Sequence, residues 1–357
     1  RYTGPEPWPY SRRAPDLPLA AIDDELLRVG VWGERRLAVD PSLDVQVGLR
    51  VEGGSRTASG SVEVQPRVTT RLRLGPDVTM SLGAGRYVQH AQSPAPVGPL
   101  LERALETGRL WLLAGPRRAP LDTRIVSLGG EAWLGEAWLA SATAYVRDSR
   151  GVLLPDPTPG FLIQRSPLVE GRVGARGLDL SLRRLAGRVT GSVAYSLADA
   201  EAEAVGLAFP APSDRRHVLD VTGRVRLSSD WNLGLAYTYA TGSPYARTLE
   251  RTLGESEREA AFLVDPFRRR TPPYASLDLV LDYARRIGVW SVGGFLQARN
   301  LTGHDNDVTY THTTERCPGA YLMDGTCVEG TPVPTDNFTP GIPTIPLLGL
   351  RISYRGG

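Results

Sequence analysis

Trp231-Asn232-Leu233-Gly234-Leu235-Ala236-Tyr237-Thr238-Tyr239 decides the fold. The odd positions are large and apolar, the even ones small or polar. A strand turns successive side chains to opposite faces, so this stretch has one apolar and one polar face. The same period recurs along the chain. Leu43, Val45, Val47, Leu49 and Val51 oppose Asp44, Gln46, Gly48 and Arg50. Leu219, Val221, Val225 and Leu227 oppose Asp220, Thr222, Arg224 and Arg226. Val189, Val193, Tyr195 and Leu197 alternate with Arg188, Thr190, Ser192 and Ser196, and Leu277, Leu279, Leu281 and Tyr283 with Asp278 and Asp282. Leu348, Leu350, Ile352 and Tyr354 close the chain in the same phase.

About thirteen such strands begin near residues 26, 43, 66, 78, 124, 138, 172, 188, 217, 231, 274, 289 and 346. They come in pairs. Within a pair the connector is very short, as in Asp40-Pro41-Ser42, Gly75-Pro76-Asp77, Gly135-Glu136, Leu185-Ala186-Gly187, Ser228-Ser229-Asp230 and Arg286-Ile287-Gly288. Between pairs it is long. Tight turns on one rim and long loops on the other are the arrangement of an outer-membrane barrel, with periplasmic turns and extracellular loops. The polar face is rich in Arg and Asp, which a dry soluble core would leave buried at a cost of several kcal/mol. An apolar face toward lipid and a polar face toward a lumen suit that pattern. Trp138, Tyr145, Tyr195, Trp231, Tyr239, Trp290 and Tyr354, near segment ends, are expected on the apolar face as aromatic girdles. The expected fold class is therefore all-β, an antiparallel transmembrane β-barrel. An antiparallel sheet on a soluble core is the competing reading.

Composition excludes other classes. Of 357 residues, 41 are basic and 39 acidic, so the basic excess of a nucleic-acid binder is missing. All 41 basic residues are Arg. No stretch approaches the ~18 uninterrupted apolar residues of a spanning helix, whereas barrel strands average out to a soluble-looking hydropathy. Thirteen strands is an odd number, while single-chain bacterial barrels have an even one. With the last strand running inward, the first does too, which puts residues 1–25 in an extracellular loop. The chain begins Arg1-Tyr2-Thr3-Gly4 without a Met or a signal segment. Residues 26–354 are thus expected to be strands of a larger barrel.

Several segments, in order, resemble the C-terminal barrel half of TonB-dependent outer-membrane receptors. Arg28 to Val51, with Gly48-Leu49-Arg50, resembles that family's strand–turn–strand unit. Gln65-Pro66-Arg67 and Gly85-Arg86-Tyr87-Val88-Gln89 resemble the next one. Asp214-Arg215-Arg216-His217 with Tyr239-Ala240-Thr241-Gly242-Ser243-Pro244-Tyr245 is similar to a late hairpin. Arg270-Thr271-Pro272-Pro273-Tyr274 before Leu277-Asp278 resembles the penultimate inward strand, and Asn300-Leu301, Asn306 and Tyr310 the start of the last long loop. The resemblance implies a barrel of about 22 strands, of which this single partial domain (1–357) supplies about thirteen. It implies uptake of a scarce solute of siderophore, cobalamin, oligosaccharide or peptide type. The implied partners are a plug domain and further strands not present in this sequence, the TonB complex, outer-membrane lipid and a small-molecule ligand, with no nucleic acid. The chain departs from the family where Tyr354 is followed by Arg355-Gly356-Gly357 rather than ending on an aromatic. A self-contained passive channel or scaffold of 12–14 strands and a soluble all-β binding protein are the alternatives.

Cys317 and Cys327, the only cysteines, share the loop between 303 and 345. An oxidising compartment makes them a disulfide pair, whose short ring is worth about 2.5–3 kcal/mol; metal binding lacks the usual ligand spacing. His304, Asp305, Asp307, Tyr310 and His312 share that loop, as ligand contacts or as its solvated polar surface. Leu100, Leu101, Ala104, Leu105 and Gly108 suggest a short helix running toward Trp111; Trp111, Arg117 and Arg118 are candidate ligand contacts from that loop. Gly83-Ala84-Gly85 lies within a strand and reads as relief of crowding in the wall. Arg71, Arg73, Arg183, Arg224 and Arg226 on the polar face suit an anionic ligand or an acidic plug surface, or pair across strands with acids such as Asp220, Asp278 and Asp282. No Ser-His-Asp elbow or clustering points to an enzyme, and no cofactor is expected.

Overall fold

The computed structural model describes residues 27–55, 62–93, 111–115, 118–158, 160–161, 168–253, 258–306, 309–316 and 333–354. In chain order its strands are β1 (Leu27–Ala38), β2 (Leu43–Ser55), β3 (Glu63–Arg73), β4 (Val78–Gln89), β5 (Ala91–Gln92), β6 (Leu112–Leu113) and β7 (Leu121–Leu134). There follow β8 (Trp138–Pro155), β9 (Gly160–Phe161), β10 (Leu168–Arg184), β11 (Val189–Ala204), β12 (Leu207–Pro210), β13 (His217–Arg226) and β14 (Trp231–Ala240). The last are β15 (Pro244–Leu253), β16 (Arg258–Arg270), β17 (Tyr274–Ile287), β18 (Trp290–Arg299), β19 (Thr309–Arg316), β20 (Val333–Thr339) and β21 (Ile345–Tyr354).

Thirteen of them form one antiparallel wall in the order β1-β2-β3-β4-β7-β8-β10-β11-β13-β14-β17-β18-β21, and β12 pairs onto β11. These are the thirteen alternating stretches of the sequence, each neighbour in chain order pairing with the next. The tight turns are built locally. Between β1 and β2, Asp40 Oδ1 accepts the Ser42 amide at 2.6 Å and the Leu43 amide at 2.9 Å, closing an Asx turn. The Ser42 hydroxyl, which also donates to Asp40 Oδ1 at 2.6 Å, and then the Ser42 amide hold the Asp40 carboxyl below its usual range.

Register assigns every wall residue a face. Val193, Val221, Leu235 and Leu279 lie across from one another or in step on one side. On that side Val126, Leu128, Leu350 and Ile352 are strongly exposed although they are large and apolar. In water such a surface would be costly; against lipid it is the expected band. The band stops toward the long-loop rim at outward ion pairs, Arg176–Asp199 at 3.0 Å and Arg172 with Asp148. Strands β8, β10 and β11, at 16 to 18 residues, exceed the 9–11 that cross a membrane, so their outer halves rise past that band. At the short-turn rim Trp231 packs on Tyr283 (4.8 Å between ring centroids) and Trp290 on Tyr354 (5.0 Å).

One girdle expectation is corrected. Tyr145 pairs in register with Ser127 and Gly177, on the lumen face. Trp138 faces outward, so the period of two turns position 145 inward. A Cβ on Gly177 would lie 2.6 Å from the Tyr145 ring, so the ring occupies the space the glycine leaves. Gly85 likewise leaves room for Tyr87, 2.9 Å from where its Cβ would be, which supports the crowding reading of Gly83-Ala84-Gly85.

The loops carry structure that alternation did not reveal. A second, five-stranded sheet in the order β20-β19-β15-β16-β9 stands at the long-loop rim. Its β15–β16 hairpin continues directly from β14 and into β17, and β15 meets β19 in parallel. The compact apolar core lies here: Leu154, Val173, Ala202, Phe209, Ala246 and Phe267 are buried together, with Phe209 stacked on Phe267 at 5.1 Å. Among the described residues, β1 pairs only with β2 and β21 only with β18. With thirteen antiparallel strands these two ends run in the same direction, so a direct seam between them would be parallel.

Candidate functional site

The long-loop rim and the lumen below it form the candidate site. Three polar clusters organise it. In the first, Asp214 is buried; its Oδ1 accepts the Ala200 amide at 3.0 Å and its carboxylate pairs with Arg270. Arg270 also donates to the carbonyls of Asp214 and Gly242, both at 3.0 Å. Two motifs 56 residues apart, Asp214-Arg215-Arg216 and Arg270-Thr271-Pro272, thus meet through one ion pair. In the second, Asp336 of β20 accepts the Tyr245 hydroxyl at 2.7 Å and Arg247 Nε at 3.1 Å, and Arg269 lies at 3.4 Å. This fastens the last loop to the β15–β16 hairpin.

The third cluster lies where β1 to β4 end. Glu52, Glu63 and Gln65 are buried on the lumen face. Arg28 pairs with Glu63 and stands 3.9 Å from Glu52; Gln65 donates to Glu52 at 3.1 Å, and Arg50 Nε donates to it at 2.7 Å. His90, one residue beyond β4, has Nε2 at 3.7 Å from Glu63. Among the described residues neither ring nitrogen of His90 has a hydrogen bond. Burial, then the charge of Arg28, hold its imidazole below the ordinary range against the pull of Glu63 and Glu52. A base with a depressed folded pKa is protonated first in the opened chain, so stability falls as pH drops through about 6.5. His90 O accepts the Ala114 amide at 2.7 Å, next to the β5–β6 pair. Hydrogen exchange at Ala91–Gln92 and Leu112–Ala114, corrected for intrinsic rates, is expected to quicken from pH 7.5 to 5.5, and to be pH-independent in His90→Gln. A pH-independent wild type would remove His90 as the cause.

The sequence candidates fall in different places. Trp111 is exposed just before β6, and Arg118 bridges to Gly115 through main-chain bonds. His304 and Asp305 lie at the base of the last loop. His304 Nδ1 is 3.2 Å from Asn306 Oδ1, and Asp305 is exposed. Tyr310 and His312 lie on β19, opposite Phe338 and Asn337. Arg117, Asp307, Cys317, Cys327 and the Leu100–Gly108 segment lie outside the described residues. Asn306 is buried; it accepts the Ala275 amide at 2.8 Å and donates to the Ala275 carbonyl at 2.9 Å, standing in for a strand residue beside β17. Asn306→Ala leaves that buried amide and carbonyl without partners, expected to cost about 1–3 kcal/mol, read as faster exchange at Ala275 and trypsin cleavage in the last loop.

Cross-strand pairing accounts for only one of the five lumen arginines. Arg73 pairs with Asp44 at 2.9 Å. Arg71, Arg183, Arg224 and Arg226 are exposed toward the lumen and make no ion pair among the described residues. Asp220 instead accepts the Thr238 hydroxyl, and Asp278 accepts the Asn300 amide and stands 3.6 Å from Arg299. Arg71 stands directly across from Asp44 in register, yet Arg36 and Arg73 hold that carboxylate, so neither a shared face nor a shared register is enough to pair two charges. The clusters at Asp214 and Asp336 escaped sequence reading because their partners lie dozens of residues apart. Glu52 and Glu63 continue the polar phase of Arg50 and Arg67 along their strands, but only their pairing in the fold buries them.

An antiparallel wall with a lipid-type outer band, a polar lumen and one rim of long structured loops defines a segment of an outer-membrane-type β-barrel. The sequence pattern described as TonB dependent receptor-like, beta-barrel matches residues 4–301. The chain belongs to that family, whose members are outer-membrane transport receptors rather than enzymes. No curated protein matches it. Among solved structures, the ferric-catecholate import receptor Fiu from E. coli K12 is 12% identical, with a TM-score of 0.57 over 91% of this chain and 44% of that one. The unliganded ferric citrate transporter FecA is 12% identical, with a TM-score of 0.57 over 91% and 45%. The siderophore receptor PirA from Acinetobacter baumannii is 13% identical, with a TM-score of 0.53 over 78% and 42%. The chain spans less than half the length of each of these receptors.

Proposed function

We propose that this chain is the C-terminal part of the barrel of a TonB-coupled outer-membrane receptor that takes up a scarce solute. The observation that carries the reading is the family pattern over residues 4–301, laid on a wall with a polar lumen. In this reading the short-turn rim is periplasmic and the long-loop rim extracellular, and residues 1–25 belong to an extracellular loop. Further strands complete the wall at β1 and β21, because an open sheet edge leaves unpaired backbone groups in lipid. A plug from outside this sequence sits against Arg71, Arg183, Arg224 and Arg226, and TonB acts on the plug.

The solute is captured at the rim by Trp111, Arg117, Arg118, His304, Asp305, Asp307, Tyr310 and His312, on loops stiffened by a Cys317–Cys327 disulfide. Lumen arginines favour an anionic solute, such as the ferric chelates named for Fiu and FecA. Uptake of labelled ferric chelates by cells carrying the receptor, with and without TonB, tests this. TonB-dependent uptake is expected. Equal uptake without TonB would make the protein a passive channel.

A further inference from the structure

On the outward face of the wall, near the short-turn rim, the side chains shrink. Gly130 and Ala132 of β7 face outward across from Ala142 and Ala140 of β8. Larger outward neighbours, Met80 on β4 and Leu182 on β10, flank them. The result is an open apolar hollow of about 670 Å³ running across five strands, from β4 to Val193 and Tyr195 of β11, within the roughly 300–1,000 Å³ of small-molecule sites. A hollow in a lipid-facing wall is filled by lipid chains, since an apolar void forfeits contact on one side.

The charges beside it narrow the occupant. Arg184 ends β10 opposite Trp138 on the same face, with its guanidinium 5.4 Å from the Trp138 ring centroid. Among the described residues, its Nε is buried without a hydrogen-bond partner and the side chain makes no ion pair. The other atoms of a guanidinium so placed suit a phosphate, which accepts paired N–H donors. Two residues before Trp138, in the tight turn, stands Glu136, exposed and with no ion pair among the described residues. A positive group at the end of the hollow, with the Glu136 carboxylate in the adjoining turn, complements a head that carries a phosphate and then an ammonium.

We propose that this hollow is a binding site for one zwitterionic glycerophospholipid of the periplasmic leaflet. One acyl chain lies over Gly130, Ala132, Ala140 and Ala142, the phosphate sits on Arg184, and the ammonium faces Glu136. The proposal rests on the membrane placement of the proposed function, and the test separates the two.

The receptor, extracted into detergent, is titrated with diacyl lipids bearing phosphoethanolamine, phosphoglycerol or no phosphate, and retained lipid is counted by native mass spectrometry. One phosphoethanolamine lipid is expected to be held at least about tenfold more than the phosphate-free one, by the strength of one charge-assisted contact. Arg184→Gln is expected to bring the two to the same level, and Ala140→Leu/Ala142→Leu to lose all three. Equal retention of the three lipids by the wild type, or wild-type retention by both variants, would overturn the site. A preference for phosphoglycerol would overturn the zwitterionic assignment. Membrane fractionation of the same proteins reads the placement: wild type and variants are expected in the outer membrane. Absence of the wild type from it would sink the placement itself.

Discussion

Replacing Asp214 with Ala is expected to destabilise the long-loop rim by about 3–5 kcal/mol, the cost of removing one partner of a buried ion pair. The carboxylate is 1% exposed and holds Arg270 on one oxygen and the Ala200 amide on the other. Without it, Arg270 keeps only the carbonyls of Asp214 and Gly242, and its charge loses the buried carboxylate that paired with it. The loosening is local, because the wall below is held by its own ladders. Faster hydrogen exchange and protease cleavage are therefore expected in residues 205–216 and 241–273, with the wall strands unchanged. Asp214→Asn keeps a hydrogen-bond acceptor and is expected to show a smaller effect. Unchanged exchange in Asp214→Ala would show that the core alone fastens these loops.

The second large effect is on the wall. Leu235 lies on the outward face, between Gly223 and Leu279, about midway along β14. Leu235→Arg is expected to cost about 2–4 kcal/mol, as a charge near the bilayer midplane does. Ala236, the next residue, faces the lumen between Thr222 and Asp278. Ala236→Arg puts the same charge in a polar interior beside a carboxylate and is expected to change stability little. Urea unfolding from lipid vesicles, followed by the mobility shift of the folded barrel on a cold gel, measures both. Equal costs would contradict the assignment of the two faces.

These predictions rest on different depths of information. That Leu235 and Ala236 differ was legible in the sequence, because side-chain direction along a strand depends only on the strand's own period. The thirteen wall strands and their tight turns were legible for the same reason: each is set within a few residues by alternation and by turn formers such as Asp40-Pro41-Ser42. Tyr145 shows the limit: an aromatic on a strand that also carries Trp138 suits the girdle by type, but it stands in the opposite phase and faces the lumen. The candidate ligand residues were legible only as polar groups in long loops. His304 and Asp305 share a loop base, but Tyr310 and His312 stand on β19, and nothing local places that strand beside β20 and β15.

The sequence by itself determined the strands, the two faces, the order of pairing in the wall and the division into tight and long connectors. Those follow from neighbours a few residues apart and from antiparallel strands joined by short turns. Only the tertiary structure decided which charges pair, and that long loops fold into a second sheet with its own core. It also decided where the lipid-facing wall hollows out, since Gly130, Ala142, Met80 and Leu182 meet only once four strands are in register. Register and long-range pairing depend on contacts between distant segments, and a period of two carries no record of them.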